Sequence, residues 1–397
     1  MRNLWQDRQA QNLKSDLDLR VYTSNLLGRS DELVLHGGGN TSVKSMVDGE
    51  EILYVKGSGW DLVSIQAQGF APVKMSTLLE LSKAKNISDS EMVRIQKSGM
   101  IDPDAPNPSV EAILHAIIPF KFVDHTHADA IVTISNSQEG KAHIKKLFPN
   151  FLIVPYVMPG FILAQTIVEM TQWYDWEHCE GIILHNHGIF TFDNDAKKSY
   201  DKMIEAVSHA EAFLGVHAPL ALSSTKSVQS LDLEVLGDIM AKVKGYRPRL
   251  KLNQSALAKS YASQPNLCEF ARRGVLTPEH ILRTKREPLV LESSSEEAMS
   301  KAVDEYICAY EAYFSAHATD EICLNPAPNY AVVKDEGIVI FSKDEKEERI
   351  LNDIIEHTMT AVLRADALGG FESITQSESF AMEYWELEQM KLKVQNA

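Results

Sequence analysis

The sequence predicts an α/β protein built as two domains, and three observations carry that expectation. Apolar runs with strand character alternate with amphipathic runs along the chain, the pattern of a layered α/β architecture. The 397 residues suffice for two domains of ordinary size, each with its own core. A small polar cluster, Ser223-Ser224-Thr225-Lys226-Ser227, interrupts the pattern and marks a boundary between residues 1–225 and 226–397.

Taken in order, residues from about Leu4 to Gly28 space their apolar side chains as a helix does and end on a glycine. LVLHGGGNTSVKS reads as strand, glycine turn, strand, and ILYVKGSGWDL repeats that logic with a strand from Ile52 to Val55. Met75 to Lys83 reads as a helix. The prolines at 103, 106 and 108 exclude one over Asp102 to Pro108, because each fixes φ and removes a donor. Ser109 is then the expected N-cap of a helix over SVEAILHAII. FVDHTHADAIVTIS reads as a strand ending near Ser135, FLIVPYV as another, and GIILHNHGIFTF as strand-like from 181 to 192. A polar amphipathic helix follows.

The chemistry concentrates on histidines. His125 and His127 are two apart in a predicted strand, so both imidazoles project from one face and can reach one ion. His185 and His187 repeat the spacing before Gly188. Thirteen histidines scattered at random would give fewer than one H-x-H pair, and here there are two, each in a predicted strand. Three neutral imidazoles leave a divalent metal with open positions, as a catalytic site requires. Glu111 falls near the start of the helix before the His strand, where a carboxylate can move protons to and from a carbon acidified by the ion. His115, one turn on, reads as a core histidine. HGGGN and KGSG are glycine loops whose backbone N–H groups suit a phosphate, with Asn40, Ser58 and Ser109 as further donors.

GGGNTSVK, VKGSG, PSVEAILHA with VDHTHADA, and the Asn-His-Gly of HNHGIF together resemble the class II aldolase/adducin family over about Val21 to Phe213. The resemblance implies a three-layer αβα fold for residues 1–225, assembled as a cyclic homo-tetramer. It implies Zn2+, or another divalent ion such as Mn2+ or Co2+, on His125, His127 and His187, with Glu111 as catalytic acid/base. Phosphate-contacting positions fall on Asn40, Ser58, Gly59 and Ser109, and Lys56 is a further substrate-binding candidate. Departures exist: Val110 stands where the aldolases often carry a second serine. Lys56 replaces a frequent threonine and resembles the pentulose-phosphate 4-epimerases of the same family, which place Asp where this chain has Glu111. LRVYTSNLLGRSDELVLHGGGNTSVK, GVLTPEHILRTK and EYWELEQMKL are similar to the long aldolase part of bifunctional aldolase/short-chain dehydrogenase proteins, rhamnulose-1-phosphate aldolase fusions among them. The resemblance leaves two expectations: the aldolase part of a longer protein, with a C-terminal dehydrogenase domain as partner that is not present in this chain, or a stand-alone version.

Residues 226–397 read as a second, degenerate aldolase-like α/β domain. GIILHNHGIFTFDNDAKKSYDKMIEAV and YAVVKDEGIVIFSKDEKEERILNDIIE align without a gap at an offset of 149. Gly188 meets Gly337 and His187 meets Glu336, while Arg283-Thr284-Lys285 is the expected counterpart of His125-Thr126-His127. A strand over 330–334, a turn at Glu336-Gly337 and a helix from about Asp344 to Leu368 follow from that register.

Other classes are disfavoured. A formal net charge of −16 repels phosphate backbones and anionic membranes, so neither nucleic acid nor membrane is an expected partner. Cys179, Cys268, Cys308 and Cys323 have no paired spacing. The polar N-terminus is no signal peptide, so a cytoplasmic location is expected. The leading expectation is a lyase of carbohydrate metabolism. It would cleave a ketose 1-phosphate to dihydroxyacetone phosphate and an aldehyde, with Glu111 exchanging the proton at C3. A sugar-phosphate epimerase, a dehydratase or decarboxylase, and a non-catalytic adducin-like interaction module are the alternatives.

Overall fold

A computed structural model describes residues 1–222 and 231–395. The polar cluster at 223–227 lies outside the described residues. The chain separates into two compact units, Met1–Ser135 with Gly140–Leu214, and Asn136–Glu139 with Gly215–Ala397. No helix among the described residues is long and apolar enough to cross a membrane.

The first unit is built on seven strands: β1 (Asn40–Val47), β2 (Glu50–Lys56), β3 (Phe70–Lys74), β4 (Phe122–Thr126), β5 (Phe151–Val154), β6 (Gly181–Leu184) and β7 (Gly188–Asp193). Their order across the sheet is β3-β2-β1-β4-β7-β6-β5. Only β5 and β6 pair in parallel; the other neighbours are antiparallel. Successive strand residues face opposite sides, and the two faces carry separate cores. Val123 joins Leu78, Ile113, Leu114, Phe161 and Phe190 on one side, whereas Phe122 packs with Val43, Ala196 and Leu17 on the other. Helices Met75–Leu81, Ala112–Ile117 and Phe161–Thr171 thus cover one face, and Asp16–Leu27 and Ala196–His217 the other. This is the three-layer αβα arrangement.

Several elements differ from the sequence expectation. The N-terminal helix is two, Asp7–Ala10 and Asp16–Leu27, because Ser15 and Asp18 form a reciprocal capping box that starts a new helix. Leu33 and Val34 are buried in a loop rather than a strand; His36, Gly37 and Gly39 all have positive φ. The stretch expected as one strand to Ser135 is β4 followed by a helix, Asp129–Ser135, every residue from Ala130 to Ser135 buried. An apolar run buried all round carries no period that separates helix from strand. Residues 181–192 form a hairpin, turning at Asn186 with φ +57°. Ser109 is not the N-cap: the helix begins at Ala112 with Glu111 at the cap position, although the Ser109 hydroxyl does accept the Glu111 N–H at 3.2 Å. β3 carries no strand signal in the sequence because it contains Pro72, which a sheet tolerates only at an edge; β3 is one edge of this sheet.

The second unit has four strands, β8 (Arg249–Asn253), β9 (Leu289–Leu291), β10 (Tyr330–Val333) and β11 (Gly337–Ser342), in the order β8-β11-β10-β9. Helices Leu233–Lys244 and Glu296–His317 share a core with one face, through Leu236, Met240, Met299, Val303, Val339 and Phe341. Helix Glu345–Asp366 buries Leu351, Ile354, Ile355, Met359 and Val362.

This sheet repeats four strands of the first. In β4-β7-β6-β5 and in β8-β11-β10-β9 the outer pairs are antiparallel and parallel in the same sequence. Leu184 pairs with Gly188 and Val333 with Gly337; Gly181 pairs with Thr191 and Tyr330 with Ile340. Positive φ recurs at Asn186 (+57°) and Asp335 (+59°). The following helices, Ala196–His217 and Glu345–Asp366, begin and end at matching positions. One part of the expectation fails. Ile189 pairs with Thr126 and Ile338 with Asn253, so the counterparts of His125 and His127 are Leu252 and Gln254. Arg283 and Thr284 lie in a helix, Ile281–Thr284, ending at Lys285. The short polar-apolar alternation RLKLN carries no chemical signal that would have marked it as the counterpart.

Candidate metal centre

Each histidine of the candidate set is delivered by a different piece of local structure. His125 is the fourth residue of β4, the central strand that β1 and β7 flank. His127 lies just beyond the strand end, ahead of helix Asp129–Ser135. His187 closes the β6–β7 turn, where its N–H bonds Leu184 O at 3.2 Å. One nitrogen from each of the three rings falls within 4.8 Å of the others, and His127 Nε2 is 3.1 Å from His125 Nε2. Nitrogens gathered this closely suit a single ion of tetrahedral habit.

The rings are held from behind. His125 Nδ1 lies 3.1 Å from Ile189 O; donation there leaves Nε2 unprotonated as the ligand atom, the usual backing of a metal-bound imidazole. The same ring stacks on Phe190, centroids 4.1 Å apart. Gly188 is required at the hairpin: a Cβ there would lie 2.3 Å from Thr126 O and 3.1 Å from His125 Cε1. Gly39 (φ +62°) passes so close to β4 that its Cβ would meet His125 O at 2.7 Å. The HGGGN loop therefore packs its backbone against the histidine strand. On the far face, Arg20 is fully buried and pairs with Asp124, which also accepts the Ser199 hydroxyl, anchoring β4 beside His125. Burial lowers the Arg20 pKa, and Asp124 opposes that shift.

Glu111 comes to the same place. Its Oε2 is 3.5 Å from His125 Nε2 and its Oε1 3.7 Å from His187 Nε2. Asn40 Nδ2 donates to Glu111 Oε2 at 2.6 Å. Asn40 Oδ1 in turn faces His115 Nε2, and His115 Nδ1 is 2.7 Å from the Ser42 hydroxyl. Complete burial holds the His115 pKa well below its ordinary value, with the charges of His125, Lys44 and Arg20 adding to the effect. A neutral His115 donating from Nε2 and accepting from Ser42 fixes which way the Asn40 amide points, and hence the Glu111 carboxylate. His115 reads from the sequence as a core residue; the structure makes it part of the support. Asn40 and Ser42 share a strand face and Glu111 and His115 are four apart, which was the available signal.

The remaining expected positions surround this group unevenly. Lys56 is buried and its Nζ donates to Gly37 O at 2.9 Å; burial lowers its pKa to about 8 against the pull of Asp61 and Glu111. Ser58 and Gly59 are exposed at the loop tip, and the Ser58 N–H is engaged by Asn107 O. Ser109 lies two residues from Glu111, and its N–H bonds Lys56 O. His185 is buried, with its Nε2 in no hydrogen bond among the described residues, and stands outside the trio.

A seven-stranded αβα unit presenting three convergent imidazoles beside a carboxylate defines a class of metal-site α/β proteins. Comparison with known proteins sharpens this. The "Class II Aldolase and Adducin N-terminal domain" profile matches residues 19–214, and the "Aldolase class II, second domain" profile matches 228–392. The solved N-terminal class II aldolase domain of a conserved Thermoplasma acidophilum protein is 40% identical, with 54% of this chain and 99% of that one covered at a TM-score of 0.50. The chain belongs to the class II aldolase family. The "uncharacterized oxidoreductase YuxG" of Bacillus subtilis (strain 168) is 30% identical over 99% of this chain, which spans 60% of that protein's length. L-fuculose-1-phosphate aldolase from Thermus thermophilus is 14% identical, with 50% of this chain and 94% of that one covered at a TM-score of 0.33, too distant to bear on substrate.

Proposed function

We propose that the first unit is a divalent-metal-dependent lyase that cleaves a ketose 1-phosphate into dihydroxyacetone phosphate and an aldehyde. The observation that carries this reading is the convergence of His125, His127 and His187 within 4.8 Å with Glu111 3.5 and 3.7 Å from two of them. The donor set fits Zn2+, Mn2+ or Co2+, each of which imidazole binds. A bound ion would supply Lewis-acid polarisation of the substrate's oxygens.

The chain's own residues account for the proton at C3. When C3–C4 breaks, the C4 hydroxyl gives up its proton as it becomes the aldehyde, and the electron pair left at C3 takes one up. The net change moves one proton from the C4 oxygen to C3. Glu111 is held by Asn40 through Oε2, while Oε1 makes no hydrogen bond among the described residues and is the oxygen available to exchange that proton. Burial of the carboxylate keeps bulk water from competing. Ser58, Gly59 and Ser109 are the proposed phosphate contacts. Asn40 enters that role only with its second amide hydrogen, the first being held by Glu111. The tetramer and the dehydrogenase partner domain belong to the same proposal.

An epimerase is the second reading, since Lys56 resembles the pattern of the pentulose-phosphate 4-epimerases and is buried in the field of Glu111. One experiment separates them: a screen of ketose 1-phosphates and pentulose phosphates, scoring aldehyde release and epimer formation, with metal content measured in parallel. Aldehyde release that disappears on chelation and returns with Zn2+, Mn2+ or Co2+ supports the lyase. Epimer without aldehyde replaces it with the second reading, and metal-bound protein inactive on every sugar phosphate refutes both.

A further inference from the structure

The second unit contains a cavity of about 400 Å³ walled by Lys244, Ile281, Lys285, Leu324, Asn329 and Glu383, among others, within the range of ligand pockets. Lys285 stands out in it. The residue is 6% exposed, yet its Nζ makes no hydrogen bond among the described residues. The ammonium lies 3.5 Å from the centroid of the Tyr310 ring and 4.0 Å from Glu383 Oε1, beyond hydrogen-bond reach of that carboxylate. Glu383 Oε1 takes the Tyr310 hydroxyl instead, at 2.8 Å, and Tyr310 also contacts the Tyr384 hydroxyl at 2.7 Å.

The backbone at Lys285 is strained as well. Its φ of +62° with ψ of 174° is a region that residues with a Cβ avoid and that persists only where the surroundings hold it. Here they do: the Lys285 N–H bonds Ile281 O at 3.0 Å, Thr284 Oγ1 bonds Lys285 O at 2.9 Å, and Asn329 Nδ2 bonds Arg283 O at 2.7 Å. A long cationic side chain is thus kept out of water, over the Tyr310 ring and in no hydrogen bond among the described residues, at the wall of a cavity, by a fixed, unfavourable backbone conformation. A merely structural lysine would find acceptors or reach solvent.

We propose that Lys285 is a nucleophilic amine whose Nζ condenses with the carbonyl carbon of a small aldehyde or ketone admitted to this cavity, forming an imine, with Glu383 as the proton carrier. The Nζ lone pair forms the C–N bond while the C=O π pair moves to oxygen, which takes the Glu383 proton. The Glu383 carboxylate then recovers a proton from the nitrogen and returns it to the carbinolamine oxygen. That oxygen leaves as water while the nitrogen lone pair forms C=N, giving a protonated imine; loss of its N–H proton restores the acid. Amine and carbonyl give imine and water, with no oxidant or reductant. The charge states suit the task. Burial lowers the Lys285 pKa to about 8, with Lys244 lowering it further and Glu383 and Cys323 opposing, so an appreciable free-amine fraction exists near neutrality. Burial raises the Glu383 carboxyl above its ordinary range, against Lys285, Tyr310, Tyr313 and Arg286. A desolvated lysine beside a second cation is a recognised route to an amine nucleophile.

The test uses the full chain with glycolaldehyde and with dihydroxyacetone phosphate, trapped by cyanoborohydride from pH 6 to 10 and mapped by peptide mass. A fast adduct on Lys285 is expected, at least about tenfold ahead of the exposed lysines, with half-maximal rate near pH 8 rather than near the ordinary lysine value of about 10.4. Lys285→Arg removes it, Glu383→Gln slows it, and wild-type mapping stands without either variant should one fail to fold. The adduct should persist in chelated protein and in His125→Ala/His187→Ala, so failure here and failure of the lyase reading are distinguishable. Lys285 reacting no faster than exposed lysines overturns the proposal. So does inorganic phosphate shielding Lys285 when neither carbonyl probe gives a reducible adduct, which would make it an anion site.

Discussion

The β6–β7 hairpin of the first unit and the β10–β11 hairpin of the second share backbone pairing and differ in side-chain chemistry. Both turn through a residue of positive φ, Asn186 or Asp335, followed by one more residue and a glycine. In both the glycine backs onto the neighbouring strand: a Cβ on Gly188 would lie 2.3 Å from Thr126 O, and one on Gly337 2.2 Å from Asn253 O. At the three positions that gather imidazoles in the first unit, the second has Leu252, Gln254 and Glu336. Glu336 is buried and accepts the Leu231 N–H at 3.4 Å, so the position has acquired a structural contact. The strands differ in setting too: β4 is flanked on both sides and buried throughout, whereas β8 is an edge, with no residue fully buried. The difference teaches that the scaffold needs the glycine and the turn but not the ligands, which can be replaced while the register stays.

The largest effect should come from removing imidazoles from the cluster that the first hairpin and β4 build together. His125→Ala/His187→Ala leaves one of three imidazoles, and metal affinity should fall by orders of magnitude, with activity lost. Glu336→Gln, its counterpart in the second hairpin, should leave metal content unchanged. Metal analysis after gel filtration decides; full occupancy in the double variant would break the ligand assignment.

Next in size is Glu111→Gln, which keeps the shape and removes the exchangeable proton. Metal content should hold while turnover drops roughly 10²–10⁴-fold, the usual worth of a general acid–base group. Near wild-type turnover would reduce Glu111 to a helix-terminal charge.

A smaller loss is expected from Asn40→Ala, which frees Glu111 and leaves His115 without its acceptor. Groups that orient a metal site commonly contribute about 10–100-fold in affinity or activity. His115→Phe should reproduce much of the turnover loss if the chain from Ser42 to Glu111 works by orientation, and kcat should fall more than KM rises. An unchanged kcat in both variants would dissolve that chain.

The smallest effects should be the most alike. Gly188→Ala and Gly337→Ala each force a Cβ against a strand carbonyl, an overpacking that costs about 1–3 kcal/mol. Matching losses by denaturant unfolding, with metal binding weakened only by Gly188→Ala, would confirm that the hairpins share a scaffold but not a function. A tolerated Gly337→Ala beside a disruptive Gly188→Ala would break the parallel.

Much of this was legible in the chain itself. Two H-x-H pairs, Glu111 upstream and the glycine loops suffice for the family and for the residues that gather into the histidine–carboxylate cluster, because imidazole and carboxylate chemistry is carried by residue type. The hairpin offset was legible because Gly188 and Gly337 mark a backbone position no other residue fits. What lies between was not. Only the pairing of β11 with β8 shows that Leu252 and Gln254 stand where His125 and His127 stand, since strand partners are chosen by long-range packing that leaves no chemical mark on RLKLN. Only the packed core turns Asp129–Ser135 into a helix, because burial on every side erases the period that separates helix from strand. The orienting role of His115 and the isolation of Lys285 were likewise decided by tertiary structure. A hydrogen bond to Asn40 or the lack of one at Nζ depends on which groups the fold brings near, and that is a property of neighbours rather than of the residue.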